Sequence, residues 1–193
     1  MGATQYYTAT TLDGYIADEH NSLEWLFEVD RDAEAGEHSF AAFFAQVGAM
    51  AMGATTYEWV LDHEDLLAHP ERWRGFYGDR PSWVFSHHDL PPLPGCDIRF
   101  VRGGVAEHAG EILASAGDRD VWVVGGGDLV GQFDDAGLLD EILVSVMPVF
   151  LGGGAPLLPR RLTSERVSLR EVSRHGQHAR LSFDVRRRAE SAG

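Results

Sequence analysis

Residues Val121, Trp122, Val123, Val124, Gly125, Gly126 and Gly127 run without a break into Asp128, Leu129, Val130, Gly131, Gln132 and Phe133. A short apolar run rich in β-branched residues is the signature of a buried strand. Glycines at its end let the backbone turn tightly and approach a ligand with no side chain between them. Asp128 stands where a helix N-cap belongs. Strand, glycines and helix N-terminus together cradle a phosphate, because unpaired N–H groups and the positive end of the helix dipole face the anion. The chain is thereby constrained towards an α/β fold that holds a nucleotide-like cofactor at a strand–helix junction.

The common dinucleotide fingerprint does not fit. Counted from Gly125, its third glycine falls on Val130, and the motif lies late in the chain rather than in an opening βαβ unit. A Walker-type phosphate loop is excluded because all 16 basic residues are arginine. The lack of lysine also excludes a Schiff-base mechanism, pyridoxal phosphate chemistry included. A formal net charge of −14 argues against nucleic acid and anionic membranes as partners. One cysteine, Cys96, forbids an internal disulfide and fits a cytoplasmic setting. No apolar run reaches membrane-spanning length, and no secretory signal is expected. The nine histidines carry no metal-ligand spacing: His87 and His88 are adjacent, and His175 and His178 fall in a hairpin turn, so no metal is expected.

Along the chain, strands are predicted at Gln5–Thr10, Ala49–Met52, Ser82–Phe85, Ile98–Val101, Val121–Val124 and Glu141–Phe150. Ser39 is placed to cap a helix whose Phe40, Phe43, Phe44 and Val47 make one buried face. Tyr15–Asp30 reads as irregular, and 61–80 as a short helix with a surface loop. Helices follow at Val105–Ala116 and 128–136. Gly53, Ala54, Thr55 and Thr56 form a second strand–glycine–helix junction. Val167–Ser173 and Leu181–Arg187 alternate as an antiparallel hairpin, with Leu181, Phe183 and Val185 pointing one way. The expected architecture is a mainly parallel central sheet with helices on both faces and a C-terminal antiparallel hairpin. No linker or repeat interrupts it, so one domain is expected over 1–193, with its core at about 4–187.

Four stretches in this order carry a resemblance. They are Thr11–Ala17, Met52–Glu58, Val123–Gly127, and Asp140–Leu143 continuing through Pro148–Gly154. Together they resemble the dihydrofolate reductase-like superfamily, and within it the reductase domain of the riboflavin-biosynthesis deaminase–reductases and its stand-alone members. The resemblance implies NADPH as cofactor, with NADH as the alternative, and a homodimer. It implies that Ala9 and Ile16 flank the nicotinamide. Gly53, Thr55 and Thr56 would meet phosphates, and Ser86 and His87 the adenosine ribose. Gly125, Gly126, Gly127, Asp128 and Leu129 would contact the pyrophosphate and the nicotinamide ribose. It also implies a cis Gly125–Gly126 peptide. Relatives commonly carry arginine where this chain has Ala54, and Arg102 could replace it.

The remaining roles stay open at this level. Dihydrofolate reductases place a carboxylate on the first helix, but Phe40–Phe44 offers none. Asp13, Glu34, Glu37 or water could supply the proton. Asp13 also suits its Asp-Gly turn for its own sake. Trp25 and Tyr57 either line a substrate pocket or fill core. Three activities are compatible with these residues: an NAD(P)H-dependent reductase of a small heterocycle, pteridine-like or ribosylamino-pyrimidine-like; a nucleotide-binding protein on the same fold without catalysis; and a flavin-binding oxidoreductase.

Overall fold

The structure, a computed structural model, describes residues 2–29 and 39–187. The strands are β1 (Thr4–Thr11), β2 (Tyr15–Ala17), β3 (Val47–Gly53), β4 (Ser82–Phe85), β5 (Ile98–Val101), β6 (Asp120–Gly125), β7 (Glu141–Met147), β8 (Ala155–Pro156), β9 (Val167–His175) and β10 (His178–Val185). The helices are α1 (Glu24–Phe27), α2 (Phe40–Gln46), α3 (Ala54–His63), α4 (Glu71–Tyr77), α5 (Val105–Ala116) and α6 (Gly127–Asp135). Eight strands form one sheet in the order β5-β4-β3-β6-β1-β7-β10-β9, and β2 pairs with β8 beside it. Pairing is parallel from β5 through β7, and β10 runs antiparallel to both β7 and β9. The fold is thus the dihydrofolate reductase-like α/β arrangement, with antiparallel strands at the C-terminal end.

The pleat divides the core into two layers. Ala49 and Ala51 of β3 face α5 and α6, packing with Val121, Val123, Ile112 and Phe133. Met50 and Met52 face the opposite way, towards Tyr57, Leu61, Trp73 and Trp122. Helices therefore cover both faces, which is why the central strands are apolar on every residue instead of alternating.

Several boundaries differ from the sequence reading. Val47 does not extend the face of α2: it opens β3, and it caps the helix with its N–H on the Phe44 carbonyl. Ser39 does cap α2, accepting from Ala42 N at 3.1 Å. No α2 residue is fully buried, although Phe43 and Phe44 lean on the core. The irregular stretch contains β2 and the one-turn α1. β7 ends at Met147 rather than Phe150, because Pro148 has no N–H for the ladder. Asp128 is not the cap of α6: Gly126 is, and Asp128 lies in the first turn.

Leu181, Phe183 and Val185 of β10 do share one face. Leu181 and Phe183 lean on the α5–α6 core layer, yet His178, Arg180 and Ser182 on the other face are buried as well. Arg180 lies 4.7 Å from the Tyr7 ring, and Tyr7 stacks on Phe43 at 4.4 Å. The long guanidinium stem is covered by rings, so a polar letter in the pattern does not mark solvent here. Among the described residues, no helix is long and apolar enough to cross a membrane.

Candidate functional site

β3 and β6 are parallel neighbours, with Met50 opposite Trp122 and Met52 opposite Gly125. Each ends in glycine and passes straight into a helix, so two helix N-termini emerge side by side at the carboxyl edge of the sheet. That edge is where open α/β sheets take ligands. Gly53 caps α3 and Gly126 caps α6, and neither can offer a side chain to the first-turn N–H groups. The contrast with α5 is informative. It too has a glycine cap, but there Glu107 reaches back and accepts from Gly104 N at 2.8 Å. The first-turn donors of α3 and α6 are left for something else.

Both N-termini open into one cavity of about 630 Å³. Its wall brings together Ile16, Gly53, Thr55, Thr56, Ser86, His87, Gly125, Gly126, Gly127, Asp128 and Leu129. The Gly125–Gly126 peptide is cis. Gly125 has φ +154°, which L side chains rarely adopt, and a Cβ there would stand 3.4 Å from the Thr56 hydroxyl. A Cβ on Gly126 would meet nothing closer than Ile16 Cδ1 at 3.9 Å, so that direction points into open cavity.

Other sequence-predicted residues lie elsewhere. Ala9 is off the wall; its neighbour Thr8 is on it, and the pleat sends Ala9 to the opposite face. Arg102 lines an adjoining groove of about 340 Å³ that shares Ser86 and His88 with the main cavity. Its guanidinium donates to Asp89 Oδ1 at 2.8 Å. Tyr57 is core: it is fully buried, and its hydroxyl donates to the Pro91 carbonyl at 2.7 Å. Burial raises its phenol above the ordinary range. Trp25 is buried and also off the wall. Glu34 and Glu37 lie outside the described residues.

Asp13 is a staple rather than a wall residue. Thr11 Oγ1 donates to it at 2.5 Å, Gly152 N at 2.7 Å and Leu151 N at 3.1 Å. The Thr11 hydroxyl, then the Gly152 and Leu151 N–H groups, hold its pKa below the ordinary carboxylate value. A proton donor needs the opposite shift, and in this structure the carboxylate is engaged as a loop anchor. The sign of its pH dependence follows. A depressed folded pKa gives stabilisation that is complete above the unfolded value of about 3.9 and lost as pH falls through the folded one. Asp13→Asn is therefore expected to lower the Tm above about pH 4, with the gap to wild type closing under stronger acid. A gap that stays constant down that limb, in thermal melts across pH, refutes the assignment.

Sequence reasoning missed part of the wall. Trp59 and Val60 line it, one helical turn beyond Thr55 and Thr56. Helical spacing from those threonines could have found them. Trp59 stacks on His63 at 4.4 Å, and Phe27 lies parallel to the His63 ring at 5.1 Å, giving a flat aromatic shelf. Ala155, Pro156 and Pro159 close another side. Their placement comes from the β2–β8 pairing and the bond from Leu157 N to the Gly14 carbonyl, which no local pattern announces. Among the described residues the wall carries no arginine, and its one acid, Asp128, is paired with Arg160 at 3.1 Å.

Comparison with known proteins agrees with this geometry. The chain is 26% identical over 180 residues to the uncharacterized protein YwjB of Bacillus subtilis, covering 93% of this chain and 96% of that one. It is 27% identical over 172 residues to the uncharacterized YyaP of the same organism, with 86% of each covered. A crystal structure of a protein named for riboflavin biosynthesis, from Shewanella sp. PV-4, superposes with a TM-score of 0.73 at 25% identity, over 96% of this chain and 99% of that one. Dihydrofolate reductase from Enterococcus faecalis, solved with NADP(H), shares the fold at a TM-score of 0.57 and 12% identity, over 95% and 96% of the two chains. A sequence profile described as the RibD C-terminal domain matches residues 4–179. The chain belongs to the RibD C-terminal domain family, whose fold is that of reductases.

Proposed function

We propose that this chain is an NAD(P)H-dependent reductase of a small planar heterocycle, working as one domain in the cytoplasm. The observation that carries the reading is the convergence of two helix N-termini without side-chain caps, with Thr55 and Thr56 beside them, on a single cavity lined in part by Trp59. The residues fit a dinucleotide. Gly126 leaves open the space a Cβ would fill, and the α3 and α6 N–H groups supply anion donors where the wall lacks arginine. When bound, the dinucleotide supplies a hydride. Gly126, whose Cβ direction is open, would let a pyrophosphate approach the backbone, while Gly127 is needed for the close approach of the Pro156 and Leu157 carbonyls. Ile16 lines the cavity beside Gly126 and would offer an apolar surface there. The Trp59 shelf orients a flat ring, and Thr8 and Asn21 offer polar contacts at its edge. Titrating the purified protein with NADPH while following tryptophan fluorescence tests the reading; no change at millimolar cofactor refutes it.

A second reading has its own observation. Asp13 accepts from backbone N–H groups and Asp128 pairs with Arg160, so each carboxylate already has a structural partner. A nucleotide-binding protein without catalysis fits that arrangement, and so does a reductase protonated by water. Turnover with a heterocycle panel under bound NADPH separates the two.

Choice of dinucleotide turns on the adenosine end. Ala54 lines the cavity, and Arg102 already holds Asp89, so a 2′-phosphate must compete for that guanidinium. Ala54→Arg is expected to tighten NADPH about tenfold relative to NADH, worth about 1.4 kcal/mol. Equal changes in the two dissociation constants would place residue 54 away from the 2′-phosphate.

A homodimer accompanies the reading. β9 is an edge strand with an open ladder, and Leu169 and Val172 on it are 57% and 58% exposed. Light scattering at micromolar concentration is expected to give twice 21.3 kDa; a monomer mass rejects the dimer.

A further inference from the structure

Arg160 stands behind the cavity wall rather than on it. Its guanidinium bridges Asp128 at 3.1 Å and Asp135 at 2.9 Å. Those acids are two turns apart on one face of α6, with Gly131 between them. A Cβ on Gly131 would come within 2.8 Å of Arg160 Cζ and 2.9 Å of Nε. The missing side chain lets the guanidinium lie flat along the helix. A second close approach fixes the same segment further back: a Cβ on Gly127 would stand 2.4 Å from the Pro156 carbonyl oxygen. Residues 155–160 therefore run along α6 from its N-terminus, and Pro156 and Pro159 reach the cavity from that strap.

Asp128 poses a problem for an anion site. A carboxylate in the first turn suits the helix dipole but opposes any second negative charge arriving there. Arg160 pairs with that carboxylate without itself lining the cavity, and Gln132 Nε2 donates to its other oxygen at 3.2 Å. We propose that Arg160 is a positioning residue for the dinucleotide pyrophosphate, holding the Asp128 carboxylate back and cancelling its charge so that the α6 N–H groups stay open to phosphate. The inference rests on the cofactor reading above. A plain helix staple is the rival, and α6 already has one in the bond pair from Arg166 to the buried Asp134.

Dissociation constants for NADPH and NADH, with thermal melts, decide between them. Arg160→Gln is expected to weaken both dinucleotides about tenfold. Adding Asp128→Asn to that variant should return affinity to near wild type, since the unopposed charge is gone. Asp135→Asn loosens the strap while keeping the Asp128 pair, and should lower the Tm without moving either constant. If Arg160→Gln cannot be folded, Asp128→Asn alone should bind both dinucleotides at least as tightly as wild type, and weaker binding overturns the proposal. Unchanged affinity in Arg160→Gln overturns it too, as does a loss that Asp128→Asn fails to rescue. A wild-type chain that binds neither dinucleotide sinks the cofactor reading and this inference with it, an outcome distinct from wild-type binding with an indifferent Arg160→Gln.

Discussion

Gly126→Val is expected to abolish dinucleotide binding while leaving the fold almost untouched. Residue 126 has φ −84° and ψ −177°, extended backbone that valine adopts freely. Its Cβ would point past Ile16 into the cavity with 3.9 Å of clearance, so the isopropyl group has room in the empty protein. It has none once a pyrophosphate approaches the α6 N-terminus. The expected loss is ~100-fold or more in affinity, about 2.8 kcal/mol, with a Tm near wild type. The neighbouring Gly127→Val should do the reverse. Its Cβ would fall 2.4 and 2.6 Å from the Pro156 and Leu157 carbonyl oxygens, which are backbone and cannot step aside. That variant should fold poorly. Titration and melting of the pair check both statements, and intact affinity in Gly126→Val refutes the placement of the pyrophosphate.

Arg166→Ala carries the largest expected cost in stability. Asp134 is fully buried, and two nitrogens of Arg166 donate to its two oxygens, one at 3.0 Å. Arg166 Nε also donates to the Arg186 carbonyl at 3.0 Å, so one side chain ties α6 to the end of β10. Removing the cation from a buried carboxylate costs about 3 kcal/mol, the low end of the range for such pairs, because Arg166 keeps a fifth of its surface in water. For a chain of this size that corresponds to a Tm lower by roughly 6–12 °C. A double variant, Asp134→Leu with Arg166→Met, should regain part of the loss, since an apolar pair leaves no charge behind. A fall of under 2 °C or so in Arg166→Ala would show that the pair is structurally idle.

What the sequence discloses about this molecule depends on how local the cause is. β6 and the α6 junction are legible because both causes, an apolar β-branched run and glycines at its end, lie within a few residues. The same holds for β4 and α5, whose observed bounds match the expected ones. The burial of Arg180 was not legible, because it comes from Tyr7 and its ring neighbours, far away in the chain. Tyr57 could be read as either pocket or core, since one period places it on α3 but not which neighbours it meets. Asp13 was legible as a turn residue, yet its partners Leu151 and Gly152 are joined to it only through the folded sheet. The strap at residues 155–160 carried no signal, because a two-residue strand has no pattern to read.

The strand order sets a timetable for synthesis. β1 is made before both strands that flank it and is among the last to be enclosed. It is flanked by β6 and β7, and its first residue bonds Asp140 at a separation of 136 residues. Until β6 arrives, β3 pairs only with β4, and β1 has no partner in the large sheet. Pairings so distant must meet the entropy of closing long loops before they yield any contact energy, so assembly is slow relative to a chain of local contacts. A nascent chain ending before β6 therefore leaves both edges of β1 and one edge of β3 without their sheet partners. The wall is complete only when Pro159 is in place. Under the proposed function, a dinucleotide would stabilise finished molecules alone, by mass action on the one form that could hold it.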